Sequence, residues 1–334
     1  MPSLPSAFRL SVVIPTYNRR DLVLRAMSSV LDQHGAGDIQ IVVADDGSSD
    51  GTVEMLAERF GADARVHVVA TQRAFASAAR NAGFAAATGD FVCFLDSDDV
   101  WLPGTLATIA SVFADRPDLA FVSVDGSTLE KRGQKDIARL VADHSPGWTH
   151  ADFAGVALPS QDITLPNGHG TRMRSGDFFP AIILGDLFYL SGLVARREAV
   201  IGAGPFNERF RFFNDWEFFA RLCLQGPGAY IDCTGFRRDT GRADQISHGR
   251  PMSAVARRRR FILHSLPRRF PERIGAYDIQ LARANDDAIY FMARCLVQSS
   301  HRRWARRYLR RCLQHGYKPI RSLLLLLRTL MAGI

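Results

Sequence analysis

Gly89-Asp-Phe-Val-Cys-Phe-Leu-Asp96-Ser97-Asp98-Asp99 carries an apolar run straight into three carboxylates. Phe91 to Leu95 has the unbroken apolar character of a strand covered on both faces, as in the middle of a parallel sheet, and ligands of open α/β sheets gather at the carboxyl ends of strands. Oxygen ligands concentrated there suit a hard divalent cation. Mg²⁺ or Mn²⁺ takes one or two carboxylates and completes its shell with water and substrate phosphates, which makes a nucleoside diphosphate the expected cargo. If the segment stays extended, Asp96 and Asp98 share one side and Ser97 takes the other. Asp99 then points elsewhere, or caps the helix that starts near Pro103.

The flanking segments repeat the pattern. Leu10-Ser-Val-Val-Ile-Pro15 is a short strand stopped by proline, and Asp21 to Leu31 has helical spacing. Ile39 to Ala44 is a second strand, ended by Asp45-Asp46-Gly47-Ser48-Ser49-Asp50-Gly51-Thr52, with a helical pattern from Val53 to Phe60. Val66 to Ala70 is a third strand and Ala74 to Ala87 an alanine-rich helix that leads to the Phe91 strand. Alternation of this kind predicts an α/β fold with a mostly parallel central sheet. A helix from Pro103 to about Phe113 and a strand at Leu119 to Val124 follow, then a polar, Gly- and Pro-containing stretch, 125–175, with the look of an acceptor-side insertion or lid. Phe188 to Ala195 is strand-like and Asp215 to Leu224 reads as an amphipathic helix.

Beyond Pro251 the pattern is helical and basic. The chain's 334 residues and net charge of +8 hide an asymmetry: residues 1–250 carry 24 Lys and Arg against 30 Asp and Glu, whereas 251–334 carry 18 against 4. The expected organisation is a catalytic domain over 1–250, with a nucleotide-binding half 8–124 and an acceptor half 125–250, and a helical basic extension over 251–334. Trp304, Tyr308, Leu309 and Leu313 interleave with arginine pairs, as in helices that lie on an anionic bilayer. Nucleic acid is the weaker partner, since no recognised motif accompanies the charge and the acidic remainder would repel phosphate backbones. The longest aliphatic run, Leu323 to Leu327, is too short to span a membrane. The N-terminus does not read as a signal peptide, and five scattered cysteines suit a reducing compartment. The expectation is a cytoplasmic protein, peripheral on the inner face of the cell membrane.

Asp45 and Asp46 deliver carboxylates to the same sheet edge as Asp96 and Asp98, although Asp46-Gly47 is also ordinary turn chemistry and Ser49 or Asp50 a plausible cap. Arg73, Arg80 and Asn81 precede the aspartate-rich strand; a guanidinium reaching the cleft would balance its carboxylates and pair with phosphate or base. Asp215 opens a helix among Phe212, Phe213 and Trp216, surroundings that desolvate a carboxylate, raise its pKa and suit it to general-base work.

These segments together resemble the family 2 glycosyltransferases, with the GT-A fold. Ser11 to Arg19 is similar to the family's opening strand and loop, Val43 to Thr52 to its nucleotide-binding turn, Ala79-Arg80-Asn81-Ala-Gly83 to its arginine motif, Phe94 to Pro103 to its metal motif, and Gly204 to Leu222 to its catalytic-base segment. The resemblance implies that Thr16 and Tyr17 contact the base, that Asp45 or Asp46 contacts base or ribose, and that Asp96 binds ribose. It implies Asp98 as the metal ligand at the diphosphate and Asp215 as the base in an inverting transfer. Pro15, Asn18, Arg19, Arg80 and Ser97 belong to the same donor-binding segments. Two positions depart from the family's pattern: Asn214 stands where an acid is common, and Arg237-Arg238-Asp239 stands where the family often has histidine. The function so implied is metal-dependent transfer of a sugar from a UDP- or dTDP-type donor to a glycan or lipid-linked hydroxyl in surface polysaccharide synthesis. Two rivals remain. A sugar-nucleotide-forming nucleotidyltransferase would want a glycine- and basic-rich loop that the chain lacks, and a non-catalytic nucleotide-sugar-binding protein would not need Asp98 and Asp215.

Overall fold

The computed structural model describes residues 8–33, 38–128, 140, 158–185, 187–239, 252–298 and 301–331. The chain forms two compact units, Met1–Ile182 with Asp186–Gln245, and Ile183–Gly185 with Ile246–Ile334.

The first unit is built on one mixed sheet. β1 (Arg9–Thr16), β2 (Asp38–Asp45), β3 (Val66–Ala70) and β4 (Phe91–Phe94) are mutually parallel in the order β3-β2-β1-β4. Helices α1 (Arg20–Leu31), α2 (Thr52–Phe60) and α3 (Phe75–Ala86) connect them. Every residue of β1 after Arg9 is buried, which is why its apolar run does not alternate. Pro15 is tolerated in this central strand because β4 pairs only with Leu10 to Val13, so no neighbour on that side needs its missing N–H.

β5 (Asp99–Trp101), α4 (Thr105–Asp115), β6 (Phe121–Thr128), β7 (Ser160–Thr164), β8 (Gly170–Gly176), β9 (Leu193–Arg196) and β10 (Gly228–Arg238) complete the unit. β9 lies antiparallel between β4 and β6, β10 runs parallel to β6, and the β7–β8 hairpin extends the far edge. β5 stands off this path and pairs with the end of β10, Asp99 opposite Arg238. Aromatic residues fill the space beside the sheet: Phe8, Phe91 and Phe113 at one place, Phe94, Phe206 and Phe218 at another.

Several sequence expectations need correction. The strand closes at Phe94 rather than Leu95, and Asp99 N–H donates to Asp96 O at 3.0 Å. The acidic segment is therefore a turn, and the side-by-side placement that an extended chain would give Asp96 and Asp98 does not hold. Asp99 caps nothing: α4 begins after Gly104, and the Asp99 side chain is buried against Ser191. Within 125–175, residues 125–128 finish β6 and 160–164 and 170–176 form the hairpin, while 129–139 and 141–157 lie outside the described residues. Phe188 to Ala195 is strand only from Leu193, preceded by a single 3₁₀ turn at Leu190–Gly192.

The second unit is helical, as the sequence predicts. Its main helices are Met252–Arg269, Asp278–Gln298, Arg302–Gln314 and Pro319–Met331. Leu263, Leu266, Ala288, Met292, Ala305 and Leu309 pack in its interior. Leu309 is thus a core residue, and Tyr308 and Leu313 are half-buried. Of the four apolar residues expected to face a bilayer, only Trp304 is exposed.

Candidate active site

The β1–α1 loop is pinned to the β2–α2 turn by its own polar groups. Asn18, with a left-handed backbone (φ 49°), donates its N–H to Ser48 Oγ and accepts from Ser49 N–H, both at 2.8 Å. Arg20 N–H donates to Asp50. Tyr17 is left partly exposed with the Arg73 guanidinium 5.1 Å from its ring centroid, a cation–π contact.

Asp45 and Asp46 have distinct surroundings. Asp46 accepts from Thr71 Oγ1 (2.7 Å), Ala74 N–H (2.8 Å) and Phe75 N–H (2.8 Å), which uses both oxygens to hold the segment entering α3. Asp45 accepts from Gly47 and Ser48 N–H groups through Oδ1 alone. Its Oδ2 is buried without a partner, and so is the Oγ1 of Thr16, its register partner on β1. An unpaired buried polar atom costs about 1–3 kcal/mol. Here two of them stand on register partners at the carboxyl ends of neighbouring parallel strands.

The aspartate turn sits among arginines. Asp96 pairs with Arg80 at 2.6 Å, Asp98 with Arg19 at 3.1 Å, and Asp99 accepts from Ser191 Oγ at 2.6 Å with Arg238 Nε 4.0 Å away. Ser97 is buried, its Oγ 3.4 Å from Arg19 Nη1. Burial alone would raise the Asp96 carboxyl, but Arg80, with Arg238 and Arg19, holds it below the usual range. Burial and the Asp96 charge push Asp98 up, and burial pushes Asp99 well up, with Arg238 opposing and Asp96 and Asp98 adding to it. Among the described residues no group of three His, Cys, Asp or Glu side chains is arranged to hold a metal. The donor set suits a divalent ion only in the manner of Mg²⁺, which Asp98 would hold with at most one more carboxylate, phosphate and water supplying the rest. Burial first, and the Asp96 charge second, disfavour the ionised form of Asp98, and Arg19 opposes both.

Asp215 lies in the first turn of the helix Asn214–Leu222, half-buried, its Oδ1 accepting from Trp216 N–H at 2.9 Å. The Trp216 indole turns inward and donates to Ile182 O. Asn214 donates through Nδ2 to Ser77 Oγ and accepts Asp215 N–H through Oδ1. An ionised acid at 214 could not make the first of these bonds. Ser77 and Arg80 both stand on α3, so one helix ties Asp215's segment to the Arg80–Asp96 pair. Asn81, next along, clasps Phe206 through both its amide atoms. The buried Glu217–Arg221 pair supports the same loop from behind, with Arg221 donating to the carbonyls of Ala203, Gly204 and Pro205.

The structure thus brings Arg19, Arg80, Asp96, Ser97 and Asp98 together, sets Thr16 and Asp45 side by side, and links Asp215 to the first group through α3. Sequence reasoning overlooked Ser191 and left Arg237 and Arg238 undistinguished. The register of β10 against β5 separates them: Arg238 reaches the aspartates and stacks over Tyr189, whereas Arg237 is exposed. The Arg-Arg-Asp departure was the available signal.

Residues 11–159 match the model of Glycosyl transferase family 2. An uncharacterized glycosyltransferase of Nostoc sp. is 33% identical over 162 residues, 45% of this chain and 50% of that protein. The Escherichia coli protein named UDP-Glc:alpha-D-GlcNAc-diphosphoundecaprenol beta-1,3-glucosyltransferase WfgD is 36% identical over 100 residues, 30% of this chain and 38% of that protein. The chain therefore spans about half the length, or less, of these curated relatives. The crystal structure of S. aureus TarS 1-349 in complex with UDP-GlcNAc superposes with a TM-score of 0.55 at 19% identity, over 86% of this chain and 82% of that one, a likeness of fold.

Proposed function

We propose that this chain, a member of glycosyl transferase family 2 with the GT-A fold, moves a sugar from a UDP- or dTDP-type donor to a hydroxyl of a glycan or lipid-linked acceptor, with inversion and with Mg²⁺ or Mn²⁺. The observation that carries the donor assignment is the unpartnered pair Thr16 Oγ1 and Asp45 Oδ2. A buried carboxylate oxygen wants a donor, and the ring N3–H of uracil or thymine is one; cytosine presents a lone pair there and would be repelled. Tyr17, beside Arg73, is the natural platform for the base, and Asp46 serves the loop.

In this reading Asp215 takes the proton of the acceptor hydroxyl as its oxygen attacks the anomeric carbon, and the bond from that carbon to the diphosphate oxygen breaks on the opposite side. Arg238 and Arg19 meet the negative charge that develops on the departing diphosphate. A divalent ion held by Asp98, when bound, neutralises that same charge. Arg80 keeps Asp96 ionised and oriented toward the ribose. The similarity to a glucosyltransferase acting on a diphosphoundecaprenol-linked sugar supports a lipid-linked acceptor in surface polysaccharide synthesis at the cytoplasmic membrane face. Transfer belongs to residues 1–250, leaving 251–334 for that face.

The test pairs donor binding with transfer. Asp215→Asn should bind UDP-sugar in calorimetry as the parent does, while its transfer rate falls about 10²- to 10⁴-fold. Full transfer by that variant would remove Asp215 from the base role.

A further inference from the structure

The helix Pro319–Met331 keeps most of its large apolar side chains on the outside. Ser322 and Thr329 are its buried residues, while Ile320, Leu323, Leu324, Leu327 and Leu330 are exposed, Ile320 by 74% and Leu324 by 61%. Leu325 and Leu326 flank Ser322 and Thr329 half-buried; Ser322 Oγ donates back to Tyr317 O, Thr329 Oγ1 donates within the helix to Leu326 O, and Arg306 ties the inward side to the preceding helix through Thr329 O. A helix surrounded by water does the opposite, because apolar area gains by leaving solvent. At about 100° per residue the five exposed side chains fill an arc of roughly 120°, and Arg321 and Arg328, one heptad apart, lie together on its Leu324 flank.

The surroundings say what covers such a face. Between His301 and Met331 stand nine Lys and Arg and no Asp or Glu. Leucines at the acyl boundary with arginines reaching back to headgroup phosphates is the arrangement of an interfacial helix on an anionic bilayer. Thirteen residues rise only about 20 Å, short of the ~30 Å hydrocarbon core. No helix among the described residues is long and apolar enough to cross a membrane. Nucleic acid would engage the arginines and leave the leucines in water. A second copy of the chain would bring two all-cationic surfaces together.

We propose that Pro319–Met331 lies in the plane of an anionic membrane surface, its Ile320–Leu330 face in the acyl boundary and Arg321 and Arg328 at the phosphates. The inference goes beyond charge attraction by the basic tail as a whole, because it places the contact on one face of one helix. It stands independently of the donor and acceptor chemistry.

The full chain, mixed with phosphatidylcholine vesicles with and without phosphatidylglycerol, should sediment only with the anionic ones. Ile320→Asn with Leu324→Asn alters the two most exposed of the five apolar residues, so the fold should survive, which an unchanged Tm verifies. Vesicle binding should fall at least ~30-fold. Arg321→Gln with Arg328→Gln should weaken it roughly tenfold or more. Both pairs should keep UDP-sugar binding, which separates loss of docking from loss of the transfer site. Vesicle binding unchanged by the Ile320/Leu324 pair overturns the proposal, since charge alone would then suffice. So does absence of vesicle binding, whether accompanied by a dimer that this pair abolishes, by duplex RNA binding that the pair leaves intact, or by neither.

Discussion

Asp45 and Asp46 close the same strand, yet the groups folded back on each set them different tasks. Asp46 is saturated by Thr71, Ala74 and Phe75, whereas Asp45 keeps one buried oxygen open beside Thr16. Asparagine at 45 retains an oxygen for Gly47 and Ser48 but turns an NH₂ toward the ligand. Asp45→Asn should therefore unfold at nearly the parent temperature and bind UDP roughly ten- to a hundredfold more weakly. Asp46→Asn should do the reverse, losing about 1–3 kcal/mol of stability as an acceptor for backbone N–H groups disappears, with a smaller effect on UDP. Calorimetry and thermal unfolding on the two variants decide the matter, and the opposite pattern would reject the division of labour. Both aspartates were legible as acids ending a strand. What separates them was not, because the donors that saturate Asp46 come from a segment 25 to 29 residues away, and nothing local to Asp45-Asp46-Gly47 encodes that return. The same limit hid the partners of Asp98 and Asp99, which arrive from the β1–α1 loop and from β10.

At the scale of elements, α3 organises the site, since it carries Ser77, Arg80 and Asn81 to three different partners. It can do so because Gly83 lets it lie hard against β1: a Cβ there would stand 2.4 Å from Val13 Cγ1. Gly83→Ala should push the helix outward, costing about 1–3 kcal/mol by overpacking. Adding Val13→Ala makes room for the new methyl, so the double variant should lose less than the two single losses combined, a non-additivity readable in denaturant unfolding. Strict additivity would mean that the helix has room to spare. The parallel half of the sheet was legible because strands buried on both faces read as unbroken apolar runs, as in β1, β2 and β4. The rest was harder for physical reasons. The direction of β9 depends on neighbours rather than on its own four residues. β10 opens on Gly228 and contains Gly235, whose missing side chains make way for Phe121 and Val124. β7 is the sheet edge and largely exposed, and in β8 Met173 is the one buried apolar residue, so the hairpin carries little apolar signal.

Across the whole chain, charge divides as the sequence says, but burial in the helical unit does not follow the arginine runs. Arg259, within the run Arg257 to Arg260, is turned inward, and Asp287 answers it. That carboxylate joins three segments: Oδ2 pairs with Arg259 on Met252–Arg269, Oδ1 accepts from Tyr317 Oη (2.7 Å) and Lys318 Nζ (2.8 Å) at the entrance to Pro319–Met331, and Asp287 itself stands on Asp278–Gln298. Burial opposes its ionisation, yet Arg259, Lys318 and Tyr317 outweigh it and hold Asp287 below the ordinary value of 3.8. A carboxyl whose folded pKa is depressed stabilises fully above the unfolded value, and that contribution disappears as pH falls through the folded one. Burial lowers Lys318, but Asp287 and Tyr317 outweigh it and shift it upward, so its contribution persists until alkaline pH. The helical unit should therefore be steady through neutral pH and weaken on acidification below the carboxylate range. Asp287→Asn removes the charge that Asp287 sets against the inward-turned Arg259 and should cost about 1–3 kcal/mol at neutral pH. The difference from the parent should shrink toward zero as pH falls, because the parent then carries a neutral group at 287 as well. Melting temperatures of parent and variant across an acid series read this directly, and a gap that stays constant with pH would show that Asp287 acts through packing rather than charge.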